Sequence, residues 1–187
     1  MAAGNGYERI ARMRGFFLLP LLIGAGAALA QGPEVRIGED PAELPPAVQE
    51  TRAALIEVAR SGDIEGLRAI IEAQGSTPTV SFGLPDDPVG YLKETAGDEA
   101  GREILAILLN ALEMPHAVLG NETEGQSFAW PYLSQLDPTE LTPEQEVDAY
   151  RLVSVEELQG IRDFGGWIHW RVFIGPDGEW QAFVAGD

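Results

Sequence analysis

From Ala47 onward the chain alternates apolar stripes at helical spacing with glycine stops. Val48, Thr51, Leu55, Val58 and Ala59 recur with a period near that of an α-helix, which predicts a helix closed by a left-handed Gly62. Asp63 then offers a cap for a second helix, whose Ile64, Leu67, Ile70 and Ile71 form one stripe before Gly75. Residues 76–84, with Thr79, Val80, Ser81 and Phe82, read as a short strand or an extended loop. Asp87-Pro88 is a cap followed by proline at the first helical position and predicts a short helix to about Thr95. After Gly97-Asp98, the residues Ile104, Leu105, Ile107, Leu108, Leu109 and Leu112 are apolar on more than one side, as expected of a helix buried centrally. Pro115 ends it. His116 to Leu119 and Ser127 to Trp130 then read as strands across the polar turn 120–125.

Three cap signals follow: Asp137-Pro138 with Glu140, Thr142-Pro143 with Gln145, and Ser154 with Glu157. The Thr and Ser cases meet the reciprocal capping arrangement strictly, so two well-formed helices are expected, one presenting Val147, Tyr150 and Leu152, the other Leu158, Ile161 and Phe164. The C-terminal strands run from Trp167 to Ile174 and from Glu179 to Ala185. Gly175-Pro176-Asp177-Gly178 between them has the order of a type I turn with a glycine bulge, which pairs residue 175 with 179. Carried along both strands, that pairing gathers Ile168, Trp170, Val172 and Ile174 with Trp180, Ala182 and Val184 on one apolar face. The other face carries Trp167, His169, Arg171 and Phe173 with Gln181 and Phe183, and is either covered by an amphipathic helix or free for recognition. The fold class expected is α+β: an N-terminal helical hairpin and further helices packed on a small antiparallel sheet closed by the C-terminal β-hairpin.

Three arginines before an apolar run from Phe16, ending in Ala28-Leu29-Ala30, have the layout of a signal peptide over 1–30 with Gln31 as the mature N-terminus. The apolar run is about 15 residues and interrupted by Pro20, short of the ~20 that span a bilayer, so no membrane span is expected after cleavage. Four prolines among acidic residues without an apolar period make 31–46 a flexible lead-in, and 47–187 a single α+β domain. The expected location is periplasmic or secreted.

Charge narrows the partners. Twelve basic against 30 acidic side chains leave −18 over 187 residues, which argues against nucleic acid and against an anionic membrane surface. The absence of cysteine removes disulfides, thiolate nucleophiles and Cys-ligated metals. Phosphate-loop and dinucleotide fingerprints are missing, so no cofactor is expected, and the two histidines, His116 and His169, lack the spacing of a zinc site. Gly125-Gln126-Ser127-Phe128-Ala129 approaches a nucleophile elbow, but Pro131 follows too soon for the strand–turn–helix that motif needs.

Two aromatic groups remain as a candidate ligand site. Trp130-Pro131-Tyr132 places two rings about a rigid backbone, and Trp167, His169, Arg171 and Phe173 combine stacking surfaces with a cation suited to a sugar, a peptide or an anion. No catalytic or metal-binding residue is assigned. A helix pair such as 58–75 also resembles a single ankyrin unit, which occurs once where a solenoid needs several.

The run Asp87-Pro88-Val89-Gly90-Tyr91-Leu92-Lys93, the Trp130-Pro131-Tyr132 triplet, Leu141-Thr142-Pro143 and the ending Arg171-Val172-Phe173-Ile174-Gly175-Pro176-Asp177-Gly178-Glu179-Trp180 to Phe183-Val184-Ala185-Gly186-Asp187 resemble an uncharacterised family of exported bacterial proteins, over roughly residues 86–187. That resemblance implies location and no activity. The expected function is a non-catalytic accessory or binding module whose partner is a small molecule or an envelope protein. The alternative is a small hydrolase acting on cell-envelope material, with His169 as acid/base and a carboxylate such as Asp163 orienting it.

Overall fold

The computed structural model describes residues 35–121 and 125–186, so the signal segment expected over 1–30 lies outside the described residues. In chain order the elements are β1 (Val35–Gly38), α1 (Pro46–Ser61), α2 (Gly66–Gln74), α3 (Pro88–Thr95), α4 (Arg102–Leu112), β2 (His116–Asn121), β3 (Gly125–Trp130), α5 (Pro143–Ala149), α6 (Val155–Phe164), β4 (Arg171–Ile174) and β5 (Trp180–Val184). This is an α+β fold. Its sheet is antiparallel throughout, in the order β1-β2-β3-β4-β5, with the C-terminal hairpin at one edge.

The lead-in expected over 31–46 is corrected from residue 35. Val35, Arg36, Ile37 and Gly38 pair with Leu119, Val118, Ala117 and His116, a short turn follows at 41–43, and Leu44 is buried. Four residues of alternation are too few to show through surrounding prolines and acids. What holds them is the neighbouring strand, which satisfies backbone groups that a loop would leave to water.

Period two in the strands divides the interior into two layers of contact. His116, Val118, Phe128, Trp130, Val172, Ile174, Trp180 and Phe183 face α1 to α4; their apolar members form one core with Leu55, Leu67, Leu92, Leu105 and Leu108. Ala117, Ala129 and Phe173 point the other way, toward Tyr132, Leu133, Leu158, Ile161 and Trp167. Helices on both sides of the sheet leave neither central face to solvent.

Local signals set most helix ends. Gly62 and Gly75 close α1 and α2 at φ 72° and 74°. Asp87 caps α3 by accepting from the Gly90 N–H at 3.0 Å, and Arg68 beside it holds the Asp87 carboxyl down to about 2. Thr142 and Ser154 form the two expected capping boxes. Asp63 differs: it accepts from the Glu65 N–H at 3.1 Å in the turn that precedes α2, rather than at the helix start. Asp137 likewise closes a turn, accepting from the Thr139 N–H at 2.9 Å, and no helix forms there.

The inward face of α5 is also corrected. Val147 and Tyr150 are exposed and Ala149 is buried instead. Polar anchors rotate this two-turn helix: Tyr132 donates its hydroxyl proton to Asp148 Oδ2 at 3.0 Å, and Arg162 of α6 pairs with Glu146. On α6, Leu158 and Ile161 are buried while Phe164 stays exposed.

The C-terminal register is right at the turn and wrong beyond it. The Gly175 N–H donates to the Glu179 carbonyl at 2.9 Å, and Ile174 pairs with Trp180 as expected. A second irregularity then absorbs Gln181, so Phe173 pairs with Ala182, Val172 with Phe183 and Arg171 with Val184. Phe183 thereby reaches the core that the simple alternation assigned to Ala182. Burying a phenylalanine instead of an alanine removes far more apolar surface from water, at roughly 25 cal/mol per Å². The residue skipped, Gln181, is exposed. Ile168 falls with the opposite core, whereas Trp170 joins Trp180 and stacks on Phe183 with ring centroids 4.6 Å apart.

Candidate functional site

The aromatic groups singled out from sequence do not form a ligand surface. Trp130, Tyr132 and Trp167 are buried, and Phe173 packs into the core under α5 and α6. The expectation of a rigid exposed edge at Trp130 and Tyr132 is therefore corrected: these rings fill the two layers on either side of the sheet. Arg171 donates from Nη1 to the Trp167 carbonyl at 2.8 Å, so it serves the backbone of its own segment. His169 lies edge-on to Trp167, with centroids 6.3 Å apart, beside a void of about 20 Å³ walled by Ile107, Asn110, Ala111, Leu152 and Trp170. That is room for about one water molecule. Burial lowers the His169 pKa, with Glu157 pulling weakly the other way. Asp163, the carboxylate expected to orient it, instead accepts from Gln159 Nε2 at 2.8 Å. Ser127 sits within β3 and donates to Gln181 Oε1 at 3.2 Å, which is not the setting of a nucleophile.

A different histidine occupies the better site. His116 opens β2 directly opposite Gly38, and the glycine is what admits the ring: a Cβ at residue 38 would lie 2.3 Å from Nε2 and 2.5 Å from Cε1. The imidazole is flanked by Trp130 and Phe128, at centroid distances of 5.6 and 6.2 Å. With 4% of its surface exposed it is the buried polar residue among those described. The ring makes no hydrogen bond among the described residues, where every fully covered side-chain nitrogen or oxygen does have a partner. Its nitrogens therefore reach the space in front of them. That space is a cleft of about 340 Å³ between the sheet and the start of α1, with Arg36, Glu43 and Gln126 around it and Phe128 and Val118 beneath.

Its surroundings favour the neutral form of this ring. Burial is the main cause of its lowered pKa, and the positive Arg52 adds to it. Arg52 is held by two bonds from Nε and Nη2 to the Leu112 carbonyl, at 3.0 and 2.7 Å, which also cap the C-terminal end of α4. A neutral imidazole offers one donor and one acceptor. With Arg36 and Glu43 lining the same cleft, the ring is one of several polar groups open to a small polar molecule. Among the described residues no three His, Asp or Glu side chains gather around a metal position.

The two histidines give a pH prediction whose sign follows from burial. Each is harder to protonate in the fold than in the unfolded chain, where the pKa is near 6.5. The unfolded chain then binds more protons as pH falls below that value, so stability is complete above it and declines toward the lower folded pKa values. The melting temperature is expected to drop between about pH 7 and pH 5, and to drop less in His116→Gln. Comparing the two proteins cancels the general change in net charge; identical slopes would mean that His116 titrates as freely as in water.

Sequence reasoning missed this site because its two halves lie about eighty residues apart and neither carries a motif. A Val-Arg-Ile-Gly alternation ahead of the prolines was the available signal, and it is four residues long. The chain matches no protein-family model, no curated protein and no solved structure.

Proposed function

We propose that this is an exported, non-catalytic binding module that holds a small polar ligand in the cleft over His116. The observation that carries this reading is a largely buried imidazole without a hydrogen-bond partner among the described residues, facing a cleft that Arg36 and Glu43 also line. Its nitrogens open onto the cleft and not onto protein, so water or a polar ligand group completes their hydrogen bonds there. The volume falls at the small end of ligand pockets. Export, to the periplasm or beyond, rests on the arginine-led apolar run ending in Ala28-Leu29-Ala30 and on the resemblance of residues 86–187 to exported bacterial proteins. The hydrolase alternative depended on His169 and Asp163, which do not pair, and no other observation favours it.

With only two histidines, imidazole NMR reports on the site directly. Titration with envelope sugars, short peptides and amino acids is expected to move the His116 resonances and leave those of His169 in place. Gly38→Ala pushes a methyl into the ring, so it is expected to weaken binding at least tenfold and lower stability by about 1–3 kcal/mol. Ligands that shift His169 alone, or that bind Gly38→Ala as well as the native chain, would overturn the assignment.

A further inference from the structure

The two edges of the sheet are treated differently. Along β5 the outer edge is occupied: the Thr79 N–H donates to the Gln181 carbonyl at 2.8 Å, and the Phe183 N–H donates to the Thr79 carbonyl at 2.9 Å. Among the described residues β1 has β2 on one side and no strand on the other. It is four residues long and carries the exposed Arg36, but it has no proline and no bulge to stop pairing, and Val35 and Ile37 are exposed along it. Such an edge presents unpaired backbone groups in the arrangement that an incoming strand satisfies.

We infer that β1 receives an extended, basic peptide segment of another protein as a sixth strand, beside the His116 cleft. This rests on the cleft being the binding site and names the source of the polar group that enters it, a side chain of a peptide paired along the adjoining edge. Charge selects the occupant. Glu39, Asp40 and Glu43 are all exposed just past the end of β1, so a strand entering antiparallel, as every strand of this sheet does, brings its N-terminal end to three carboxylates. Lysine or arginine there is attracted. A second copy of this chain is disfavoured, because it brings a net charge of −18 to a partner of the same charge. Alternation then divides the side chains of the guest. One set lies along Val35 and Ile37, which favours apolar residues. The other set lies on the side of Arg36 and Gly38, and because Gly38 has no side chain, a guest residue opposite it reaches across toward His116.

The test uses the full chain and a synthetic nonapeptide of two lysines followed by alternating valine and threonine. Its twins carry two glutamates in place of the lysines, or N-methyl groups on alternate amides. Fluorescence anisotropy measures binding and hydrogen exchange locates it. The lysine-led peptide is expected to bind at least tenfold more tightly than either twin and to slow exchange at residues 35–38. Glu39→Lys with Glu43→Lys is expected to reverse the preference toward the glutamate-led twin. Binding that survives N-methylation, protection elsewhere, self-association through β1 in ultracentrifugation, or no binding at all overturns the proposal. Small molecules that shift His116 while no peptide binds would sink the edge alone. Peptide pairing along β1 with the His116 resonances unmoved would sink the cleft and leave the edge standing.

Discussion

Replacing Trp180 with alanine is expected to lower the unfolding free energy by about 3–5 kcal/mol, the range for emptying a large aromatic site in a core. The indole is fully buried among Val172, Ile174 and Phe183, and its Nε1–H donates to the Ala182 carbonyl at 3.1 Å. Its backbone is held as well. The Trp180 N–H donates to Gln74 Oε1 at 3.0 Å, while Gln74 Nε2 donates to the Trp180 carbonyl at 3.1 Å, so the end of α2 is fastened to β5. Alanine keeps those backbone bonds and removes only the ring. Urea unfolding followed by circular dichroism isolates the cavity, and Trp180→Phe should lose less. A change within about 0.5 kcal/mol, as on an open surface, would place the indole outside the core.

Gly178→Ala is expected to lose about 2–5 kcal/mol, from a left-handed backbone and a collision that add. Gly178 has φ 86°, and a Cβ there would stand 2.7 Å from the Ala47 carbonyl oxygen and 2.9 Å from its carbon. Backbone on both sides cannot step aside as a side-chain tip can. The same residue's carbonyl accepts from Thr51 Oγ1 at 2.6 Å, so lifting the turn away from α1 forfeits that bond too. Gly165→Ala is the control: φ is 82° with open space around it, and its loss should stay near the ~1–2 kcal/mol of the backbone conformation. Equal losses for the two variants would mean that the hairpin turn is not pressed on α1.

These two positions mark how far local reasoning reached. The Gly-Pro-Asp-Gly turn was legible because its chemistry is contained in four residues, and the pairing of 174 with 180 followed from it. The irregularity at Gln181 was not legible. It depends on Thr79, about a hundred residues away, occupying the outer edge of β5, and on the core taking Phe183 in place of Ala182. The aromatic residues misled for a related reason: Trp167 and Phe173 look like a recognition face on an isolated hairpin, and they become a core once α5 and α6 cover them.

The sequence by itself determined the elements whose causes are near in the chain: the glycine stops of α1 and α2, the capping boxes at Thr142 and Ser154, the strong apolarity of α4, and the α+β class. Tertiary structure decided which faces are covered, the second register shift, the recruitment of residues 35–38 as an edge strand, and the meeting of Gly38 with His116. Turn and cap energies act within a few residues and can be read in order. Burial and close approach depend on whatever the whole fold brings alongside, and that neighbour has no address in the local pattern.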